Sequence, residues 1–258
     1  MQEAVQFPGA ASFGGVVMLR LSKGVFITGT DTDAGKTIAA AAVLVSMRAA
    51  GIDAVPMKPV QTGAILQDGI MRSPDLEFCL RMSELRPEEE ELKDMAPCLY
   101  EPACSPHLAA AKAGRQISFD RISEAFSRLL RSRECVVVEG AGGLLVPIDG
   151  SRTMVDLIST LKLTVILVSR PGLGAINHVM LSIRELERSK LNLHGIIFCD
   201  TTGAGFGEIE KDNMETIARI GKAKVLGRIE HMSGLAENRI TPQIFRDHTA
   251  KFLPLQWN

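Results

Sequence analysis

Apolar and polar positions along the chain alternate between two textures. Short, nearly unbroken apolar runs occupy residues 24–28, 54–57, 135–138, 164–168, 193–198 and 224–226. Runs of this length without a polar alternation predict strands covered on both faces. Longer segments rich in Ala, Leu, Ile and Met lie between them, at 36–50, 75–85, 105–113, 118–131, 175–190 and 209–220. Their composition and length predict helices. Gly51 and Gly114 interrupt the pattern where a helix should stop, and Pro74 suits a first helical turn. The acidic run at 88–91 reads as a solvated face. Strand–helix alternation over 23–258, with no repeat and no low-complexity linker, predicts one α/β domain with a mostly parallel sheet and helices on both faces. Residues 1–22 are apolar, contain glycine and lack a basic start. They read as a flexible N-terminal extension, with Met18 an alternative start, and not as a signal peptide.

Charge and cysteine content narrow the classes. Lys plus Arg total 29 against 30 Asp plus Glu, a formal charge of −1 over 258 residues. That balance argues against a nucleic-acid or membrane-surface partner, which calls for a basic excess. No apolar run reaches the roughly 18 residues needed to cross a bilayer. The five cysteines, at 79, 98, 104, 135 and 199, are odd in number and show no C-x-x-C spacing. Free thiols in a reducing cytoplasm are therefore expected.

In sheets of this kind, ligands lie beyond the carboxyl ends of the strands. Polar residues cluster at those ends here. Gly29-Thr30-Asp31-Thr32-Asp33-Ala34-Gly35-Lys36-Thr37 follows the first strand and opens a helix. Such a loop presents backbone N–H groups to phosphates, a lysine to the β and γ oxygens, and a hydroxyl to magnesium. The fold expected is thus that of a P-loop NTPase. Thr30 stands where the usual pattern has its first glycine, so Gly29 is one residue early. Lys58-Pro59-Val60-Gln61-Thr62-Gly63 ends the second strand, with Lys58 where a ligand would sit and Thr62 in a tight turn. Glu139-Gly140-Ala141-Gly142-Gly143 follows the apolar run at 135–138. An acid there suits a magnesium ligand, and the glycines permit close backbone approach. Asp75, taken alone, reads as an acid in a first helical turn. His107 shows no metal spacing. Asn177-His178 opens a helix after a glycine-rich turn, where a carboxylate could dock. No Ser-His-Asp or Cys-His arrangement is apparent.

Taken together, these motifs and Ser105-Pro106-His107 and Ile176-Asn177-His178 resemble, in order and spacing, the dethiobiotin synthetase family over roughly residues 24–235. The resemblance implies an ATP-dependent ring closure in biotin synthesis. Its substrates would be 7,8-diaminononanoate (7,8-diaminopelargonate), CO₂ and MgATP, reacting through a carbamate and a carbamic-phosphoric anhydride. It implies Lys36 and Lys58 as catalytic lysines, and Thr37, Asp75 and Glu139 as magnesium ligands. Nucleotide would contact Asp33, Ala34, Gly35, Lys36, Thr37, Ile38, Asp75, Glu139, Gly140, Ala141, Gly142, Cys199 and Asp200. Substrate would contact Thr32, Thr62 and Gly143. A homodimer is implied, with Asn177 reaching the substrate carboxylate from the second subunit.

Two departures stand out. Cys199 occupies a position where the family commonly has an asparagine that reads the adenine edge, and a thiol is a weak donor and acceptor. Reduced base selectivity is the expectation. Ile229-Glu230-His231 lacks a proline often found there. Two other readings use the same loop. One is a P-loop amide synthase, which would need a glutaminase domain. The other is a partition or septum-positioning switch ATPase of the ParA/MinD kind, which carries a lysine where this chain has Asp31.

Overall fold

The computed structural model describes residues 17–19, 23–235, 239–253 and 255–257. In chain order, the first half comprises β1 (Val17–Leu19), β2 (Gly24–Gly29), α1 (Lys36–Ala49), β3 (Ala54–Met57), β4 (Val60–Thr62), β5 (Ile65–Gln67), β6 (Ile70–Arg72), α2 (Pro74–Ser83), α3 (Glu89–Met95), β7 (Cys98–Tyr100), α4 (Pro106–Lys112) and α5 (Phe119–Ser132). The second comprises β8 (Cys135–Gly143), α6 (Met154–Leu161), β9 (Thr164–Ser169), α7 (Ala175–Arg188), β10 (Leu193–Cys199), α8 (Glu208–Gly221), β11 (Val225–Ile229), α9 (Pro242–Phe252) and β12 (Leu255–Trp257).

All six positions of β2 are buried, so neither face of this strand can meet water. Its side chains alternate between two separate cores. Val25 and Ile27 pack with the alanine-rich α1, while Phe26 packs with Ile122, Phe126 and Leu157 of α5 and α6. A third cluster joins Leu167, Ile196 and Phe198 to Val179, Ile183 and Ile217 of α7 and α8. The result is the expected α/β architecture: one six-stranded sheet in the order β11-β10-β9-β2-β8-β3, every pair parallel, with helices on both faces.

β2 lies between β8 and β9. The chain leaves β2 toward one edge through α1 and β3, and later leaves β8 toward the other edge through α6 and β9. The carboxyl end of β2 is therefore the point at which the winding reverses, where a parallel sheet opens a crevice.

Several elements differ from the sequence reading. β8 continues past Glu139 to Gly143, and its last residues pair with Gly29 after a register shift. Asp156 accepts from the Thr153 backbone at 2.7 Å and hydroxyl at 3.0 Å and starts α6, a helix absent from the sequence reading. The acidic run belongs to α3, and α9 follows Thr241, which caps it by accepting from Ile244 N. The hairpin β5–β6 and the pair β4–β7 are short excursions off the main sheet. Within the expected extension at 1–22, β1 pairs in parallel with β12. The rest of that extension lies outside the described residues.

Candidate active site

The loop after β2 is anchored on both flanks. Thr30 N donates to Val168 O at 2.9 Å, and the Thr201 hydroxyl donates to Asp33 O at 3.2 Å. Gly35 precedes α1 with φ +93°, a left-handed conformation, and a Cβ built there would lie 2.5 Å from Cys199 Sγ. Only glycine suits both constraints. α1 then starts without a side-chain cap and without an acid in its first turn. Its first N–H groups are left for a ligand, and an anion is the favoured one. Lys36 curls back, donating from Nζ to Asp31 O at 2.7 Å. Burial, with the neighbouring Lys58 charge, lowers its pKa.

Facing this loop is a buried cluster of charge. Lys58 follows β3 directly and is 5% exposed. Its Nζ lies 2.6 Å from Asp75 Oδ2 and 2.7 Å from Glu139 Oε1, and donates to Gly140 O at 3.2 Å. The Thr37 hydroxyl donates to the same Glu139 Oε1 at 2.8 Å. Burial acts to lower the Lys58 pKa, but Glu139 and Asp75 outweigh it and hold the ammonium charged. Asp75 is brought there by α2, whose cap Ser73 accepts from Leu76 N and donates to Gln61 Oε1 at 2.6 Å. Glu139 comes from β8, the strand between β2 and β3.

A cavity of about 720 Å³ lies between the loop and this cluster. Of the residues expected at the site, Thr32, Asp33, Gly35, Lys36, Thr37, Ile38, Lys58, Thr62, Asp75, Glu139, Ala141 and Gly142 line it. Ala34 is buried beneath the loop. Gly140 contributes its carbonyl to Lys58, and Gly143 packs beside Gly29. Cys199 is 1% exposed against Gly35 and lines neither this cavity nor the next, with its thiol pushed up to about 12 by burial. Asp200 accepts from the N–H groups of Thr202, Gly203 and Gly205. Although burial acts against it, these bonds hold its carboxyl below the usual range. It lines a second cavity of about 240 Å³, with Ser169, Arg170 and the start of α7. Asn177 is exposed on the first turn of α7 and is absent from the lining of the larger cavity. His107 is exposed, while Ser105 and Pro106 line the larger cavity.

Sequence reasoning missed Thr201 and Ser73 and passed over Gln61. Gln61 is 5% exposed, and its place inside the motif that begins at Lys58 was the available signal. Ser73, directly before Pro74, carried the signal of a helix cap, whereas Thr201 carried none, because its role depends on a contact across the fold. Among the described residues no group of three or more His, Cys, Asp or Glu forms a self-sufficient metal site. Thr37, Asp75 and Glu139 supply hard oxygen donors, two of them carboxylates, which suit a divalent cation that arrives with phosphate and water as its other ligands.

A family model described as an AAA domain matches residues 23–239. The ATP-dependent dethiobiotin synthetase BioD of Anaeromyxobacter sp. (strain Fw109-5) is 37% identical over 220 residues, covering 84% of this chain and 94% of that protein. The protein of the same description from Lysinibacillus sphaericus (strain C3-41) is 34% identical over 237 residues, covering 90% and 96%. Among solved structures, the MinC:MinD cell division protein complex of Aquifex aeolicus aligns with TM-score 0.55 at 14% identity, covering 89% of this chain and 95% of that one. At that identity the likeness is one of fold.

Proposed function

This chain belongs to the ATP-dependent dethiobiotin synthetase family, and from that premise we propose how its residues divide the work. The protein is a ligase-type enzyme of biotin biosynthesis that closes a ring at the expense of ATP. The proposed substrates beside ATP are 7,8-diaminononanoate and CO₂, and the product is dethiobiotin with ADP and phosphate.

The reaction begins with a carbamate formed by CO₂ on one amine. A carbamate is a poor electrophile. Transfer of the γ-phosphoryl group to its oxygen breaks the bond to ADP and leaves a mixed anhydride. The second amine attacks that carbonyl, the ureido ring closes, and phosphate leaves. Phosphoryl transfer between two anions is limited by charge and alignment, so catalysis is positioning plus electrostatic stabilisation. Lys36 and the N–H groups opening α1 hold the phosphates. Lys58 neutralises the carbamate and the transferring oxygens. Thr37, Asp75 and Glu139 would hold Mg²⁺, which would supply positive charge to the phosphate oxygens when bound. Thr32 and Thr62 orient the diamine along the cavity.

The observation that carries this reading is the convergence of Lys36, Lys58 and two carboxylates on one cavity of about 720 Å³. A nine-carbon diamine beside a triphosphate requires space of that order. The catalytic unit is the domain at 23–258, working in the cytoplasm. It acts as a homodimer, in which Asn177 and the start of α7 from a second copy receive the substrate carboxylate. Exposed Leu173 and Leu181, before and on α7, support a contact there. No described helix is long and apolar enough to cross a membrane.

The test is coupled ADP release with bicarbonate, with and without the diamine. Release that depends on both is expected. Equal ADP release without the diamine would overturn the reading and favour a switch ATPase.

A further inference from the structure

Gln61 and Ser73 are both buried, stand 12 residues apart in the chain and meet side chain to side chain. Each bond in the pair runs in a fixed sense. The Ser73 hydroxyl accepts from Leu76 N at 3.2 Å, as the cap of α2, and donates to Gln61 Oε1 at 2.6 Å. The Gln61 amide turns its other end the opposite way, with Nε2 donating to Thr62 O at 2.7 Å. One amide thus joins the turn that carries Thr62 to the helix start that carries Asp75. We propose that Gln61 is a positioning residue of this enzyme, holding the Asp75 carboxylate in its place at the metal through Ser73, and the diamine turn through the Thr62 carbonyl.

The chain between the two residues cannot set their separation. It is the hairpin β5–β6, whose Ile65, Leu66 and Ile70 are exposed and whose two strands pair with each other alone among the described residues. An excursion with so little buried apolar surface leaves its two ends loosely spaced. The bond from Ser73 to Gln61 closes it at the base. Beyond that point Leu76, Cys79 and Met82 bury one face of α2, but apolar packing is non-directional. The directional contacts at the helix start are the Ser73 cap and Asp75 itself, whose Oδ2 lies 2.6 Å from Lys58 Nζ. On the other arm, Gly63 has a φ of +69°, and the bond to Thr62 O fixes the peptide that enters this turn. Gln61, Thr62 and Asp75 border the same cavity, so both arms end where the reaction takes place. An amide suits the position because it offers an acceptor and a donor at once. A carboxylate would set a second oxygen against Thr62 O, and a thioether would make neither bond. Buried partners of this kind aim a metal ligand, and losing one costs roughly ten- to a hundredfold in metal affinity.

This inference rests on the proposed ligand role of Asp75, and the experiment separates the two. Mn²⁺ binding is followed by electron paramagnetic resonance, with a non-hydrolysable ATP analogue present and no diamine, in the unsubstituted protein, Asp75→Asn, Gln61→Met and the double variant. Asp75→Asn is expected to weaken Mn²⁺ binding; if it does not, the ligand assignment fails and the inference falls with it. Gln61→Met is expected to weaken binding about tenfold when Asp75 is present and to add nothing in Asp75→Asn, because it acts through that carboxylate. Unchanged affinity in Gln61→Met, or an equal loss in both backgrounds, overturns the proposal. The other arm is read from the diamine KM at saturating Mg²⁺ and ATP, expected to rise about fivefold in Gln61→Met. An unaltered KM overturns that arm. Ser73→Gly deletes the hydroxyl and keeps an acceptable helix start, so it serves even if Gln61→Met does not fold. It is expected to reproduce the Mn²⁺ effect with the diamine KM near normal, since Gln61 keeps its bond to Thr62 O. Normal Mn²⁺ affinity in Ser73→Gly overturns the link to Asp75.

Discussion

Glu139 Oε1 accepts from both Lys58 and Thr37, so single substitutions around it have separable effects. Lys58→Ala leaves the Glu139 carboxylate buried without its counter-charge, with only the Thr37 hydroxyl bonded to it, which costs on the order of 3 kcal/mol of folding stability. It is expected to reduce turnover by on the order of 10³-fold, because charge stabilisation at the transferring group is lost. ATP binding should be largely spared, since the loop and α1 are intact. Lys36→Ala should damage both binding and turnover. Calorimetric ATP titration beside the ADP-release assay distinguishes them, and near-normal turnover in Lys58→Ala would refute its assigned role. Gly35→Ala meets two obstacles at once, a φ of +93° and a Cβ contact of 2.5 Å with Cys199 Sγ. Adding Cys199→Ala should relieve the contact and leave the backbone strain, so ATP affinity returns only in part. Burial against Gly35 also keeps the Cys199 thiol away from any base. Turnover with CTP and GTP is expected to approach that with ATP. A strong ATP preference would mean that another group reads the base.

The elements act as frames for these side chains. The end of β10 and the phosphate loop are joined by one hydrogen bond from Thr201 to Asp33 O. Thr201→Val deletes it and should loosen the loop by about 1 kcal/mol, which is roughly fivefold in ATP affinity. Calorimetry reads that change directly, while the unfolding midpoint should hardly move. α5 presents the opposite case. Ser118 caps it by accepting from Arg121 N, and Ile122, Phe126 and Leu129 bury its inner face against the core. Ser118→Ala should cost about 1 kcal/mol in urea unfolding and leave ATP affinity unchanged. A shift in affinity would show that α5 is coupled to the site.

At the scale of the whole molecule, the proposed dimer requires each site to borrow the start of α7 from its neighbour. Lys58→Ala and Asn177→Ala proteins should each be inactive alone. Mixed after mild dissociation, they should regain about a quarter of normal activity, since half the dimers then carry one intact site of two. No recovery would place Asn177 in its own chain's site or outside catalysis. Leu173 is 96% exposed in the single chain, and Leu173→Asp should lower the sedimentation coefficient to that of a monomer if the contact runs there.

Local chemistry was readable along the chain. The unbroken apolar runs became parallel strands because burial on both faces leaves no room for polar alternation, and the loop from Gly29 to Thr37 announced itself by glycine, lysine and threonine beside a helix start. Asp75 alone looked like an ordinary first-turn acid, and nothing near Thr201 or Cys199 in the chain revealed what each would touch. Their roles come from strand order. Placing β8 between β2 and β3 brings Glu139 to Lys58 across 81 residues, and placing β10 beside β9 carries Thr201 to Asp33 across 168. Periodicity reports which face of an element is buried, because that depends on neighbours one turn or one pleat away. Which element it is buried against depends on how the sheet closes, and only the folded chain decides that.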